Sequence, residues 1–176
     1  MDTPKVRRRT ARRRALQCIF ALSFQKVESM DQVRQTFRAL PEDDEDEAAE
    51  TGSLPRSGAA MLDESSPEAK FQEDMKYALR LVLGVHARLS EIDDVIRRFS
   101  KHWRIDRIAK AELSILRLSV YELLHEPDIP MRVSINEAVE LSKEFADDNS
   151  FPFVNGILDA VARAVSHGEF GIPQQI

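Results

Sequence analysis

The large apolar residues of this 176-residue chain recur at spacings of three and four, and hardly anywhere at two. That period lines side chains up on one face of a helix, whereas a strand would alternate them. No Asn-Gly or Asp-Gly turn between alternating runs marks a hairpin. The chain is therefore expected to be all-α, with the length of one domain that can bury a core. Helices are predicted over about residues 10–27, 30–40, 67–88, 91–101, 106–126, 134–145 and 150–165. Local chemistry sets these limits. Asp31 suits the free amides of a helix start, and Ser66-Pro67 couples a cap to a proline whose missing N–H is harmless in a first turn. Ser90 is read as the cap of the fourth helix, and Pro127 stops the fifth. Ser134 and Glu137 have capping-box spacing at the start of the sixth, and Ser150 opens the seventh. About seven helices on short turns make a compact bundle.

Composition shifts twice along the chain. From Glu42 to Glu50, seven of nine residues are acidic, and a stretch rich in Gly, Ser and Pro follows. Such a segment has too little apolar surface to offset its ordering entropy, so a disordered loop is expected over about residues 41–66. The tail from about 166 to 176 is likewise expected to be mobile, leaving one domain over about residues 10–165.

The other shift is in charge. Residues 5–14 hold Lys5, Arg7, Arg8, Arg9, Arg12, Arg13 and Arg14, seven basic residues with no acid among them. The net charge is −5, and without residues 1–14 it would be −11. An acidic protein has thus gathered positive charge at one end. Guanidinium groups fork onto phosphate oxygens and stack on exposed bases, so an arginine arm suits single-stranded RNA. DNA, anionic lipid and acidic proteins also attract basic arms, and charge alone leaves these open.

Winding the first helix at 100° per residue puts Ala15, Cys18, Ile19 and Leu22 on a core side. Arg13, Gln17, Phe20 and Phe24 fall on a stripe opposite. Either this helix is central and buried all round, or the stripe offers stacking and a protein contact. The arginine-rich turns upstream are expected to stay in solvent. On the fifth helix, Leu113, Leu116, Arg117, Val120, Tyr121 and Leu124 form the expected core face, with Arg117 a paired structural arginine. Ile108, Glu112, Ile115 and Ser119 lie opposite and read as a mixed protein-contact face.

Catalytic constellations are missing. His86, His102, His125 and His167 are scattered without ligand spacing, and no phosphate-binding glycine loop or nucleophile elbow occurs. Cys18 is the sole cysteine, which rules out an intrachain disulfide and a thiolate cage; a buried, inert thiol is expected. No enzyme, metal or cofactor is implied. The start carries no apolar segment of signal-peptide form and no run reaches the length of a membrane span, so the cytoplasm is the expected compartment.

Several stretches together resemble the NusB family. These are the opening RRRTARRRALQCIF, then AELSILRLSVYELL (Ala111 to Leu124), VSINEAVELSKEF (Val133 to Phe145) and SFPFVNGILDAV (Ser150 to Val161). They occur in the family's order and cover nearly the whole chain apart from the acidic segment and the tail. The resemblance implies two small helical subdomains and a role in transcription antitermination and rRNA synthesis. It implies binding of single-stranded boxA-type RNA together with the ribosomal protein NusE, in a complex on RNA polymerase. Carried onto this sequence, it implies RNA contacts at Arg7, Arg8, Arg9, Arg12, Arg13, Arg14 and Gln17, and around Phe145 and Asn149. It implies partner contacts at Phe20 and Glu112, with Phe24 on the same outward stripe.

Asn136, Glu137, Asn155 and Gly156 belong to the same motifs and are expected to cap, bond and pack. Phe20 stands where the family often has tyrosine, which keeps stacking and loses a hydroxyl. Asn149 stands where aspartate is common, and a neutral amide should repel phosphate less. Two other readings are a NusB-like module of an RNA methyltransferase system and a homodimeric protein-interaction bundle.

Overall fold

A computed structural model describes residues 4–41, 67–101, 103–147 and 149–171, excluding the side chains of 4–7 and 67–70. The described residues form seven α-helices and no strand. These are α1 (Pro4–Leu22), α2 (Met30–Ala39), α3 (Pro67–Ala87), α4 (Leu89–Phe99), α5 (Lys110–His125), α6 (Met131–Phe145) and α7 (Ser150–Ser166). A 3-10 turn, Ile105–Arg107, precedes α5. Residues 42–66, with the expected acidic loop and the Ser66 cap, lie outside the described residues, as do His102 and 172–176.

α1, α2 and α3 pack on one another, and α4 to α7 form a second group. α5 joins them, touching α1 and α3 as well as α4, α6 and α7. One apolar core therefore runs through both groups. This position overturns the expected two-faced fifth helix. Ile115, Ser119 and Ile108 are buried, so of the supposed contact stripe only Glu112 reaches the surface. A helix with neighbours on every side has no polar face to spare. Arg117 is the paired arginine expected: its Nε and Nη2 donate to Asp93 of α4 at 2.8 and 2.9 Å.

Several helix limits differ from expectation, each for a local reason. α1 begins earlier, at Pro4, and ends at Leu22, where the Ser23 hydroxyl donates to the Phe20 carbonyl at 2.7 Å. Phe24 thus lies in a turn past the helix. α4 starts at Leu89 with only Arg88 between it and α3, so Ser90 is inside its first turn and caps nothing. Before α5, the Asp106 carboxylate is held by Arg104 at 3.0 Å rather than capping a helix. The capping box also fails. α6 starts at Met131 after Pro130, which leaves Ser134 buried inside the helix.

At the other end, the Gly168 N–H donates to Val165 O and the Glu169 N–H to Ala164 O, with Gly168 at φ 75°. This double closure of the last turn requires a left-handed residue, which glycine supplies. It brings Phe170 back against the core, while His167, Glu169 and Gly171 stay exposed. Gly84 of α3 is the glycine that permits close packing, since a Cβ there would collide with the Tyr121 ring. Gly156, expected to do so, has open space around it.

Candidate nucleic-acid and partner interface

The arginines of α1 divide by helical phase. Arg12 and Arg14 turn inward and are 2% and 9% exposed, against the expectation that these turns stay in solvent and contact RNA. The Arg12 Nε donates to Glu122 Oε1 of α5 at 2.8 Å, and the same oxygen accepts from the Tyr77 hydroxyl of α3 at 2.8 Å. Glu137 Oε2 of α6 lies 4.0 Å from Arg12 Nη1. Burial, the largest single effect, would lower the Arg12 pKa, but the attractions of Glu122, Tyr77 and Glu137 together outweigh it and raise it. Burial and then Glu122 push the Tyr77 hydroxyl above its ordinary range, so it remains a donor. One buried ion pair thus ties α1 to α5 and α3. Arg14 donates to the carbonyls of Phe37, Leu40 and Pro41, satisfying the end of α2 where no N–H remains to do so.

Arg8, Arg9 and Arg13 turn outward. The Arg13 guanidinium sits 5.6 Å from the centre of the Phe145 ring and bonds Glu144. Arg9 lies 3.9 Å from Glu140, and Arg8 lies over the Tyr77 ring at 5.8 Å. Arg7 is within α1, but its side chain is outside the described residues. Glu137, Glu140 and Glu144 recur at three and four along α6, so an acidic strip faces the basic helix. Lys143 and Arg9 draw the Glu140 carboxyl below its ordinary range, the Lys143 hydrogen bond being the largest cause. The sequence carries the spacing of these carboxylates, but not which helix they meet.

Gln17, half-buried, continues the row toward Phe20 and Phe24, which are 37% and 63% exposed. Their rings meet edge-on at 4.9 Å, and the Lys110 ammonium sits 4.3 Å from the Phe24 ring. Lys110 also bonds the Ser23 carbonyl, joining the end of α1 to the start of α5. Glu112, in the same first turn of α5, accepts from the Ser150 hydroxyl of α7. The outward stripe therefore exists, although the opposite side of the helix, from Ala11 to Leu22, is buried. Phe145 joins it through Arg13. Asn149 is exposed at the start of α7 with no side-chain cap bond, one turn of chain beyond Phe145.

Cys18 faces inward beside Arg14, fully buried, and burial pushes its thiol up to about 12, which keeps it protonated and inert. No cluster of three His, Cys, Asp or Glu among the described residues could hold a metal ion. No described helix is long and apolar enough to cross a membrane.

These features define a helical contact platform, with its chemistry on an open surface of guanidinium and aromatic groups. The family is that of NusB: the NusB family model matches residues 9–163, and the chain belongs to that family. It is 41% identical to the transcription antitermination protein NusB of Nitratidesulfovibrio vulgaris (strain Miyazaki F), over 93% of this chain and 92% of that one. It is 37% identical to the protein of the same name from Myxococcus xanthus, over 90% and 96%. The fold superposes on a crystal structure of T. maritima NusB with a TM-score of 0.66 at 32% identity, covering 93% of each chain. A structure of antitermination factors NusB and NusE in complex with dsRNA matches in fold, with a TM-score of 0.64 at 24% identity over 90% of this chain and 97% of that one.

Proposed function

We propose that this chain is an RNA-binding transcription antitermination factor. It binds a boxA-type single-stranded RNA together with the ribosomal protein NusE, in the antitermination complex on RNA polymerase, and promotes rRNA transcription in the cytoplasm. It works by contact, without catalysis. The observation that carries this reading is the outward row Arg9, Arg13, Gln17 and Phe20 on α1, with Phe145 beneath Arg13. Cations and a flat ring side by side fit phosphate and base together. Arg12 and Arg14 are withdrawn from the RNA-contacting set because both are bound inside the fold. Arg7, Arg8, Arg9 and Arg13 remain as the arm's phosphate ligands, and Phe20, Phe24 and Glu112 as the partner's.

RNA titration at several salt concentrations tests this. With about five phosphates engaged, log K against log salt should slope near −3 to −4 for a single strand. Adding NusE should tighten binding, and Glu112→Ala should reduce that gain. Asn149→Asp should weaken RNA by returning a negative charge to the turn. An RNA affinity indifferent to salt, with and without NusE, would overturn the reading.

A further inference from the structure

We propose that the surface around Trp103 is a second single-stranded RNA contact, a stacking platform for a base adjacent to those held by α1 and the α6–α7 turn. This rests on the RNA-binding reading above and extends the nucleic acid beyond it. Trp103 is the only tryptophan of the chain and is 57% exposed, in the link between α4 and the 3-10 turn. It is held in place. Its backbone N–H donates to the Ser100 carbonyl at 2.9 Å, its backbone carbonyl accepts from the Ser100 hydroxyl at 3.2 Å, and its ring meets Phe153 of α7 edge-on at 5.8 Å. A large ring fixed in the open is positioned to be covered.

The charge around it selects the occupant. Residues 97–110 hold six Lys or Arg against one acid, Asp106, in a chain that is acidic outside its N-terminal arm. Asp106 draws Arg104, Glu169 draws Arg98 and Asp94 draws Arg97, while Lys101 and Arg107 are exposed two residues before and four residues after Trp103 in the chain. The core of a protein interface is depleted in lysine, whereas an aromatic face flanked by cations is the arrangement that holds an unpaired base and its phosphate.

Position supplies the link to the first contact. Asn149 is the flanking residue at the start of α7, and Phe153 follows it by four residues, about one 5.4 Å turn further along. A strand that passes Asn149 meets the Trp103 ring next. On the other flank of the same turn, the Lys143 ammonium lies 5.8 Å from the exposed Phe151 ring.

A single tryptophan makes the test direct. The intact protein is titrated with boxA-type RNA of increasing length, extended at each end in turn, while Trp103 fluorescence and affinity are followed. The expected result is strong quenching by a strand extended at one end. That strand should also bind about five- to tenfold tighter than the short one, and Trp103→Ala should lose the excess. Because Trp103→Ala also removes the Phe153 contact, Lys101→Ala with Arg107→Ala serves as a second variant away from the packing. It should lower affinity for the extended strand and leave the short strand's affinity unchanged. RNA that binds through Arg13 yet leaves fluorescence and length dependence untouched overturns this proposal and leaves the proposed function standing. Failure of all RNA to bind removes the function first. Fluorescence that responds to the protein partner and not to RNA makes this a protein-docking face and overturns the proposal as well.

Discussion

Arg12 and Arg13 are neighbours in sequence and share one helix, yet they do opposite work. Arg12 points into the bundle, where its charge is matched by Glu122 and the pair is closed off from water. Arg13 points out, where its partner Glu144 is itself 29% exposed, which would let a phosphate take its place under the proposed function. One residue step turns the helix by 100°, which is enough to convert a structural tie into a surface ligand. Arg14 repeats the inward case and Arg9 the outward one. A basic run therefore reports total charge, while helical phase decides how much of it another molecule can reach. Buried arginines fix the rotation of α1, and that rotation presents the exposed ones as a row.

The sharpest way to break this contrast is to remove the inward charge. Arg12→Ala leaves Glu122 buried and unmatched, and should cost about 3–5 kcal/mol in urea unfolding. A loss below about 1 kcal/mol would mean that the pair is not sealed. Replacing both partners, Arg12→Met with Glu122→Leu, should cost less than Arg12→Ala alone, since no lone charge stays behind. Next in size, Arg14→Ala frees the last carbonyls of α2 and should lower stability by about 1–3 kcal/mol.

The outward member should behave differently. Arg13→Ala should change stability by no more than about 1 kcal/mol while making the salt slope of RNA binding shallower by about 0.7, one phosphate's share. A large stability loss with an unaltered slope would put Arg13 in the structural class.

The smallest effect concerns pH at Glu126, which lies at the end of α5 with Arg80 2.9 Å away. Burial is the largest cause holding its carboxyl above the ordinary 4.5. A raised acid favours folding below the unfolded pKa and loses that contribution as pH rises through the folded one. The stability of the protein relative to Glu126→Gln should therefore fall as pH climbs from about 4.5 through the range just above it. A difference that grows with pH would show that Arg80 governs this carboxylate.

Much of the architecture was legible in the sequence because helices are written locally. Apolar spacing located all seven elements, Ser150 opened α7 as read, and Pro127 follows the end of α5. Local signs misled where a second local feature competed. Pro130 starts α6 ahead of the Ser134 capping box, and Arg88 leads directly into α4 ahead of Ser90.

The outward position of Phe20 was legible too, since it follows from helical phase, whereas Phe24 is exposed in the turn beyond the end of α1. Glu122 was not singled out, although an acid inside the apolar run SVYELL needs a partner and could have been found for that reason. Nothing in the sequence could say that its partners were Arg12 and Tyr77.

By itself the sequence determined helix, charge asymmetry and family, because each depends on neighbours within a few residues or on the order of motifs along the chain. Tertiary structure alone decided which arginines face water, that α5 is enclosed on every side, and that the acidic strip of α6 lies against the basic row of α1. Those outcomes depend on pairs such as Arg12 and Glu122, 110 residues apart, whose meeting is set by the packing of whole helices.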